Sequence, residues 1–179
     1  MTDADGQPAM DVPQQARLAH RRFPTGVTVV TTVSSGQPIG LSCNAFTSVS
    51  LDPPLVLICV NSSARSHEHL HRGEHIGINV LACDQAAVAR RFASSGGDKF
   101  ASVAWTPGAV TGVPVLPGAC AVFETVIDQR ISAGTHTIFV CEVLAASSSE
   151  REPLIYLNGS YRECPADQAH NHLASSGQD

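Results

Sequence analysis

Only one of the 179 residues is lysine, Lys99, and aromatic side chains make up just 5% of the chain. With 11 Lys and Arg against 16 Asp and Glu, the formal net charge is −5. Binding nucleic acid through counterion release needs a dense basic surface, so this balance argues against nucleic acid as a partner. No apolar run approaches the ~20 residues of a bilayer-spanning helix, so no membrane partner is expected. The start Met1-Thr2-Asp3-Ala4-Asp5 has neither the basic opening nor the apolar stretch of a secretion signal, and the expected location is the cytoplasm.

Metal and dithiol signatures are missing as well. The six cysteines (Cys43, Cys59, Cys83, Cys120, Cys141, Cys164) form no C-x-x-C pair, which fits neither a zinc knuckle nor a redox dithiol, and they read as free, mostly buried thiols. Cys43 is expected to pack rather than attack, because no neighbouring cation favours its thiolate. His67, His71 and His75 are spaced to share a helix face, but Gly73 interrupts them and the order His-Glu-x-x-His is absent. A solvated helix surface is therefore the expectation, with no metal site. His170 and His172 fall in a polar tail.

What is present is one domain's worth of β-rich sequence, with 43% hydrophobic residues for a core. Residues 1–11 read as a flexible leader, 12–164 as the folded domain and 165–179 as a disordered tail. A short helix is expected from Pro13 to Arg22 with Leu18 as a core contact, ended by Phe23-Pro24-Thr25-Gly26. The β-branched run Val27–Val33 predicts a strand, with Ser34-Ser35-Gly36 turning it into a partner at Ile39–Ser42. Ala45–Ser50, Leu55–Val60 and Ile76–Leu81 predict three more strands. Leu55–Val60 is apolar on both faces and calls for a second covering layer, such as another subunit.

Helices are expected at Ser66–His71, capped by Ser66, and at Asp84–Ala93, capped by Asp84 with Val88 inward. Ser94–Gly118 reads as a long loop covering something. Cys120–Ser132 and His136–Ala145 are long strands, and two short ones flank the Asn158-Gly159 turn. The sum is a mainly β fold, an antiparallel barrel with a few short helices.

The run Gly40 to Pro54 sets Gly, Ser, Cys, Asn and Ala among strand residues. It reads either as a polar hairpin or as a surface where a flat or phosphorylated ligand approaches the backbone. Ser42, Cys43, Asn44 and Ala45 would line such a ligand, with Ser48 in the same wall. The Asn61–Ser66 loop offers the hydroxyls of Ser62, Ser63 and Ser66 before a helix, a seat for phosphate or simply caps. Arg91, and less directly Arg65, would add charge-assisted bonds or face solvent.

Several segments in one order carry a resemblance. They are Phe23 to Thr32, the Gly40 to Pro54 run, Ile78-Asn79-Val80-Leu81, Ala89-Arg90-Arg91-Phe92-Ala93, Gly134-Thr135-His136 and Pro153-Leu154-Ile155-Tyr156. From about Arg22 to Arg162 the chain resembles the flavin reductase-like family, whose members have an FMN-binding split β-barrel with Greek-key-like antiparallel strands.

The resemblance implies a homodimer that binds FMN, with FAD as an alternative, at the subunit junction. It implies hydride transfer from NADH or NADPH to flavin N5, and hand-over of reduced flavin to a separate monooxygenase. It brings Thr25 and Tyr161 to the flavin pocket and assigns placement of the nicotinamide to His136. Family reductases carry Gly-Asp-His where this chain has Gly134-Thr135-His136, so a carboxylate is lost there. With no G-x-G-x-x-G segment, the nicotinamide would lie in the flavin groove rather than in a domain of its own. Two other readings remain open: a flavin- or haem-binding module without reductase activity, and a flavoenzyme acting directly on an organic substrate beneath the Ser94–Gly118 cover.

Overall fold

The computed structural model describes residues 10–162. In chain order its elements are α1 (Val12–His20), β1 (Thr25–Gly26), β2 (Thr28–Ser34), β3 (Gln37–Cys43), β4 (Phe46–Leu51), β5 (Pro54–Asn61), α2 (His67–Arg72) and β6 (His75–Val80). A 3-10 turn (Cys83–Gln85) then leads into α3 (Ala86–Ala93), followed by β7 (Thr106–Pro107), β8 (Pro114–Val115), β9 (Ala121–Ala133), β10 (His136–Ser148), β11 (Ile155–Leu157) and β12 (Ser160–Arg162). The predicted leader, apart from Met10 and Asp11, and the predicted tail lie outside the described residues, as does Cys164.

Seven strands form one antiparallel sheet in the order β3-β2-β6-β9-β10-β5-β4. The pairs β2 with β6 and β10 with β5 join strands distant in sequence, which gives the expected Greek-key-like weave. The sheet curls until its β3 edge meets β5. There Cys43 Sγ lies 3.4 Å from the Cys59 carbonyl oxygen, although the two strands are not paired. This seam is where the barrel is split.

Side chains alternate across a strand, so β2 feeds two cores. Val30 joins Ile58, Leu70, Ile78 and Phe139 inside the barrel, whereas Val29 joins Leu81, Ala89, Phe92, Phe100 and Leu116 outside it. Thr28 through Thr32 are consequently all buried. The outer core explains the long loop. Its Phe100 and Leu116 cap the outer face of β2, and Asn79 ties it down by donating to Pro114 O at 3.3 Å and accepting from Leu116 N at 2.8 Å. Two-residue turns fall where Ser35-Gly36 and Asn158-Gly159 predict them, with φ of 51° and 75°, and 52° and 80°.

Several local expectations are corrected. Helix α1 starts at Val12, capped by Asp11 through a 2.8 Å bond from Gln14 N, but it buries no residue and Leu18 is 46% exposed. Val12 and Leu18 are its only large apolar side chains, too few to form a core-facing stripe. Asp84 caps nothing and instead forms an ion pair with Arg151, and Ala89 and Phe92 are the buried residues of α3, Val88 being half-buried. Ser66 sits at the N-cap of α2 but donates its hydroxyl to Gly40 O at 3.2 Å. His67 and His71 share α2, with His67 contacting the Thr137 hydroxyl at 2.8 Å, whereas His75 opens β6. Among the described residues all five cysteines are free.

Candidate functional site

A cleft of about 770 Å³ opens along the seam. One wall is β3 with the Asn44-Ala45 link, a second is the end of β5 with the Ser63–Ser66 turn, and the third is the segment from Phe92 to Phe100. Of the residues singled out from sequence, Ser42, Cys43, Asn44, Ala45, Asn61, Ser63, Ser66 and His136 line this cleft. The antiparallel register of β5 and β10 sets His136 opposite Asn61, which brings the second half of the chain to the first.

Local hydrogen bonds fix the walls. Asn61 Oδ1 accepts from both the N–H and the hydroxyl of Ser63 at 2.8 Å, an Asx-type turn that holds the loop. Ser62 N–H donates to Thr135 O at 2.9 Å, and the Thr135 hydroxyl lies 3.0 Å from His136 Nδ1. The loop before α2 and the β9–β10 turn are thus fastened together, and His136 sits on that joint. The Ser42 hydroxyl donates to Ala89 O at 2.6 Å and anchors α3 on β3. Asn44 Nδ2 reaches the Thr25 hydroxyl at 3.3 Å. Burial pushes the Cys43 thiol up to about 11, and burial also raises Cys59, so both stay protonated near neutral pH.

Two cations share the far end of the cleft. Lys99 Nζ donates to Phe92 O at 2.8 Å and to Gly40 O at 3.4 Å, and its ammonium has a third donor to spare. Burial lowers the Lys99 pKa, and the positive charge of Arg65 adds to the shift. Arg65 is exposed and makes no hydrogen bond or ion pair among the described residues. Asp98 is the acidic side chain in this lining, and it accepts from Phe100 N at 2.9 Å. An anion placed between Lys99 and Arg65 would relieve their repulsion, so this end of the cleft fits a phosphate.

Lys99 was not among the sequence-selected site residues; being the sole lysine, in a loop rich in glycine, was the signal available. Arg91 does not line the cleft. Its guanidinium donates to the carbonyls of Lys99, at 2.9 Å, and Asp98, so it braces the loop that presents Lys99. Ser62 and Ser48 also lie outside the lining; Ser48 is exposed on β4, opposite Val56. Tyr161 packs against Tyr156, with ring centroids 5.5 Å apart, and lies under the Arg90 guanidinium at 5.4 Å rather than in the cleft.

Thr25 faces a second cavity, of about 790 Å³, on the other side of the Asn44-Ala45 link. The two cavities share Asn44, Ala45 and Cys59.

An antiparallel barrel split along one seam, with a two-sided cleft at the split and paired cations at one end, defines a class of ligand-binding split barrels. The description "Flavin reductase like domain" matches residues 20–165, and the chain belongs to that family. The FMN reductase (NADH) SmoA of Agrobacterium fabrum is 41% identical over 145 residues, covering 81% of this chain and 82% of the relative. The reductase subunit HsaB of a flavin-dependent monooxygenase from Rhodococcus jostii is 34% identical, covering 87% and 80%. Among solved structures, the NADH:FAD oxidoreductase of Streptomyces globisporus C-1027, in complex with NAD and FAD fragments, superposes with a TM-score of 0.84. It is 40% identical, covering 90% of this chain and 99% of that one.

Proposed function

We propose that this protein is an NAD(P)H-dependent flavin reductase that supplies reduced flavin to a separate monooxygenase. It is an oxidoreductase whose family relatives are NADH-dependent FMN and FAD reductases and reductase subunits of monooxygenases. The observation that carries the reading is the pairing, in one cleft, of the Lys99–Arg65 end with the His136 joint.

A bound flavin supplies the hydride acceptor. Lys99 and Arg65 bind its phosphate, while Asn44 offers an amide to ring oxygens and nitrogens. Ala45, Cys43 and Ser42 shape the wall against which the ring lies, and Thr25 closes it from the second cavity. His136 orients the nicotinamide. The chemistry asks for no nucleophile or general acid, only for two rings held within about 3.5 Å, and the neutral thiols suit that task.

FMN is the preferred flavin in this reading, because the paired cations match a terminal phosphate. Exposed apolar side chains on and beside the outer edge of the sheet, Val49 at 49%, Leu51 at 90% and Leu144 at 43%, are covered in a homodimer. Among the described residues no helix is long and apolar enough to cross a membrane, and a cytoplasmic location belongs to this proposal. Steady-state oxidation of NADH and NADPH with added FMN, FAD or riboflavin tests the function. Turnover dependent on flavin is expected, and no rate above the enzyme-free control with any pair would remove the assignment.

A further inference from the structure

The second cavity lies outside the phosphate-binding end yet borders the same Asn44-Ala45 wall. We infer that it seats the diphosphate of the pyridine dinucleotide donor, with Arg17 and Arg21 as the cationic contacts; this rests on the reductase reading above.

Arg17, His20 and Arg21 stand at i, i+3 and i+4, so they share one face of α1 and its C-terminal turn, and that face lines the cavity. No Asp or Glu belongs to the lining, and neither arginine is ion-paired among the described residues. The helix buries nothing, so core packing does not account for its position. It is held in place at its end, where Arg21 O accepts from Asn158 N at 3.1 Å. Opposite the cations the lining is apolar, with Leu57, Phe46 and Tyr156, and Phe23 stands 70% exposed at the mouth. A cationic rim over an apolar floor matches a dinucleotide, which carries a diphosphate between flat rings.

The direction of the flavin separates this site from one for the adenylate of FAD. Lys99 bonds Gly40 O, and Asn44, just past the end of β3, lies four residues further on, roughly 13 Å at strand rise. A flavin whose phosphate end is at Lys99 sends any adenylate out at that end and leaves the Asn44 side to the second ligand. Hydride transfer needs the two rings in contact, so the donor has to reach the shared wall. Arg17 and Arg21 also sit where they oppose the negative end of the α1 dipole, a purely structural role that would leave donor binding untouched when they are replaced.

The test is Arg17→Gln, Arg21→Gln and their combination, assayed with NADH at saturating FMN and again at saturating FAD. ADP-ribose serves as a competitive probe, and circular dichroism and gel filtration check the fold and the oligomeric state. The double variant is expected to raise KM for NADH and the ADP-ribose inhibition constant about tenfold or more with either flavin, while KM for FMN stays within about twofold. Unchanged NADH and ADP-ribose constants overturn the assignment. An effect seen only with FAD would give the cations to the flavin's adenylate, and an altered oligomeric state would give them to a subunit interface. A wild-type protein without turnover would remove the reductase reading, and calorimetric binding of ADP-ribose to wild type and double variant would still decide this one.

Discussion

The Thr135 hydroxyl lies 3.0 Å from Nδ1 of His136, while the Thr135 carbonyl accepts from Ser62 N–H at 2.9 Å. One residue thus orients the imidazole with its side chain and holds the cleft loop with its backbone. Where the resembling reductases carry Gly-Asp-His, Thr135 gives this ring nitrogen a hydrogen-bonding partner that carries no charge. Thr135→Val is expected to raise KM for NADH by about three- to tenfold, consistent with loss of one hydrogen bond, and Thr135→Ser to restore it. His136→Ala should cost more than Thr135→Val in kcat/KM. Equal KM values for wild type and Thr135→Val would show that the contact does not position the donor.

Under the proposed function, Lys99 is expected to separate flavins by their phosphate. Its Nζ is bonded to two carbonyls and faces the cleft beside Arg65. Lys99→Ala is expected to raise KM for FMN about tenfold, in line with a charge-assisted contact, while KM for riboflavin, which lacks the phosphate, changes little. Raising salt should weaken FMN in the wild type more than in the variant. A parallel loss for both flavins would mean that Lys99 only braces the loop through Phe92 and Gly40.

Strands and hairpin turns were readable because their signals are local: a β-branched run for β2, and Ser-Gly and Asn-Gly pairs at the turns. The Ser42–Ala45 wall was readable for a related reason, since small residues inside a strand pattern mark a close approach. The lysine at the far end of the cleft was not. Lys99 is 59 residues from Gly40, whose carbonyl ties it to the β3 wall, and no spacing rule links them. Arg91 has the sequence context of a free surface cation, and only the folded loop reveals that carbonyls occupy its guanidinium. Leu18 misled through composition: one leucine in a polar helix suggests a buried side, but burial requires a stripe.

Glu124 ties the β7–β8 hairpin to β9. Its Oε2 accepts from Val110 N at 3.1 Å, from Thr111 N at 2.7 Å and from the Thr111 hydroxyl at 2.8 Å, and a Cβ at Gly108 would stand 2.4 Å from the same oxygen. Burial pushes its carboxyl pKa up, but the bonds from Thr111 and Val110 outweigh this and hold it below the value of 4.5. A depressed carboxylate stabilises the fold fully above about 4.5, and the contribution is lost as pH falls through the folded value. Glu124→Gln is therefore expected to cost about 1–3 kcal/mol at pH 7, with the gap in Tm narrowing as pH falls below about 4.5. A gap that stays constant in acid would contradict this origin.

Cys43 lines the cleft with its thiol buried, a setting that suits packing rather than chemistry. Its thiol is pushed up to about 11 by burial, so thiolate at pH 7.5 is a negligible fraction. Cys43→Ala should retain flavin-dependent NADH oxidation within about threefold while losing roughly 1 kcal/mol of stability for the vacated volume. Iodoacetamide at pH 7.5 should leave the wild-type rate unchanged in the presence of FMN. Abolished turnover in a folded Cys43→Ala protein would give the sulfur a role that its surroundings do not support.

Gly40 is small for the core rather than for the ligand. A Cβ there would lie 2.8 Å from Phe92 Cε1 and 3.2 Å from Val30 O, so the missing side chain is what lets α3 settle on β3. The same residue offers its carbonyl to Ser66 Oγ and Lys99 Nζ, so displacing Phe92 also shifts the cation end of the cleft. Gly40→Ala is expected to lower stability by about 1–3 kcal/mol through overpacking and to weaken FMN binding at the same time. Phe92→Leu in the Gly40→Ala background opens space at the point of collision, so it should recover part of both losses, measured by thermal unfolding and by KM for FMN. Recovery of stability without recovery of FMN affinity would mean that the strand's packing and the placement of Lys99 are independent, and that the small residue at position 40 serves the ligand after all.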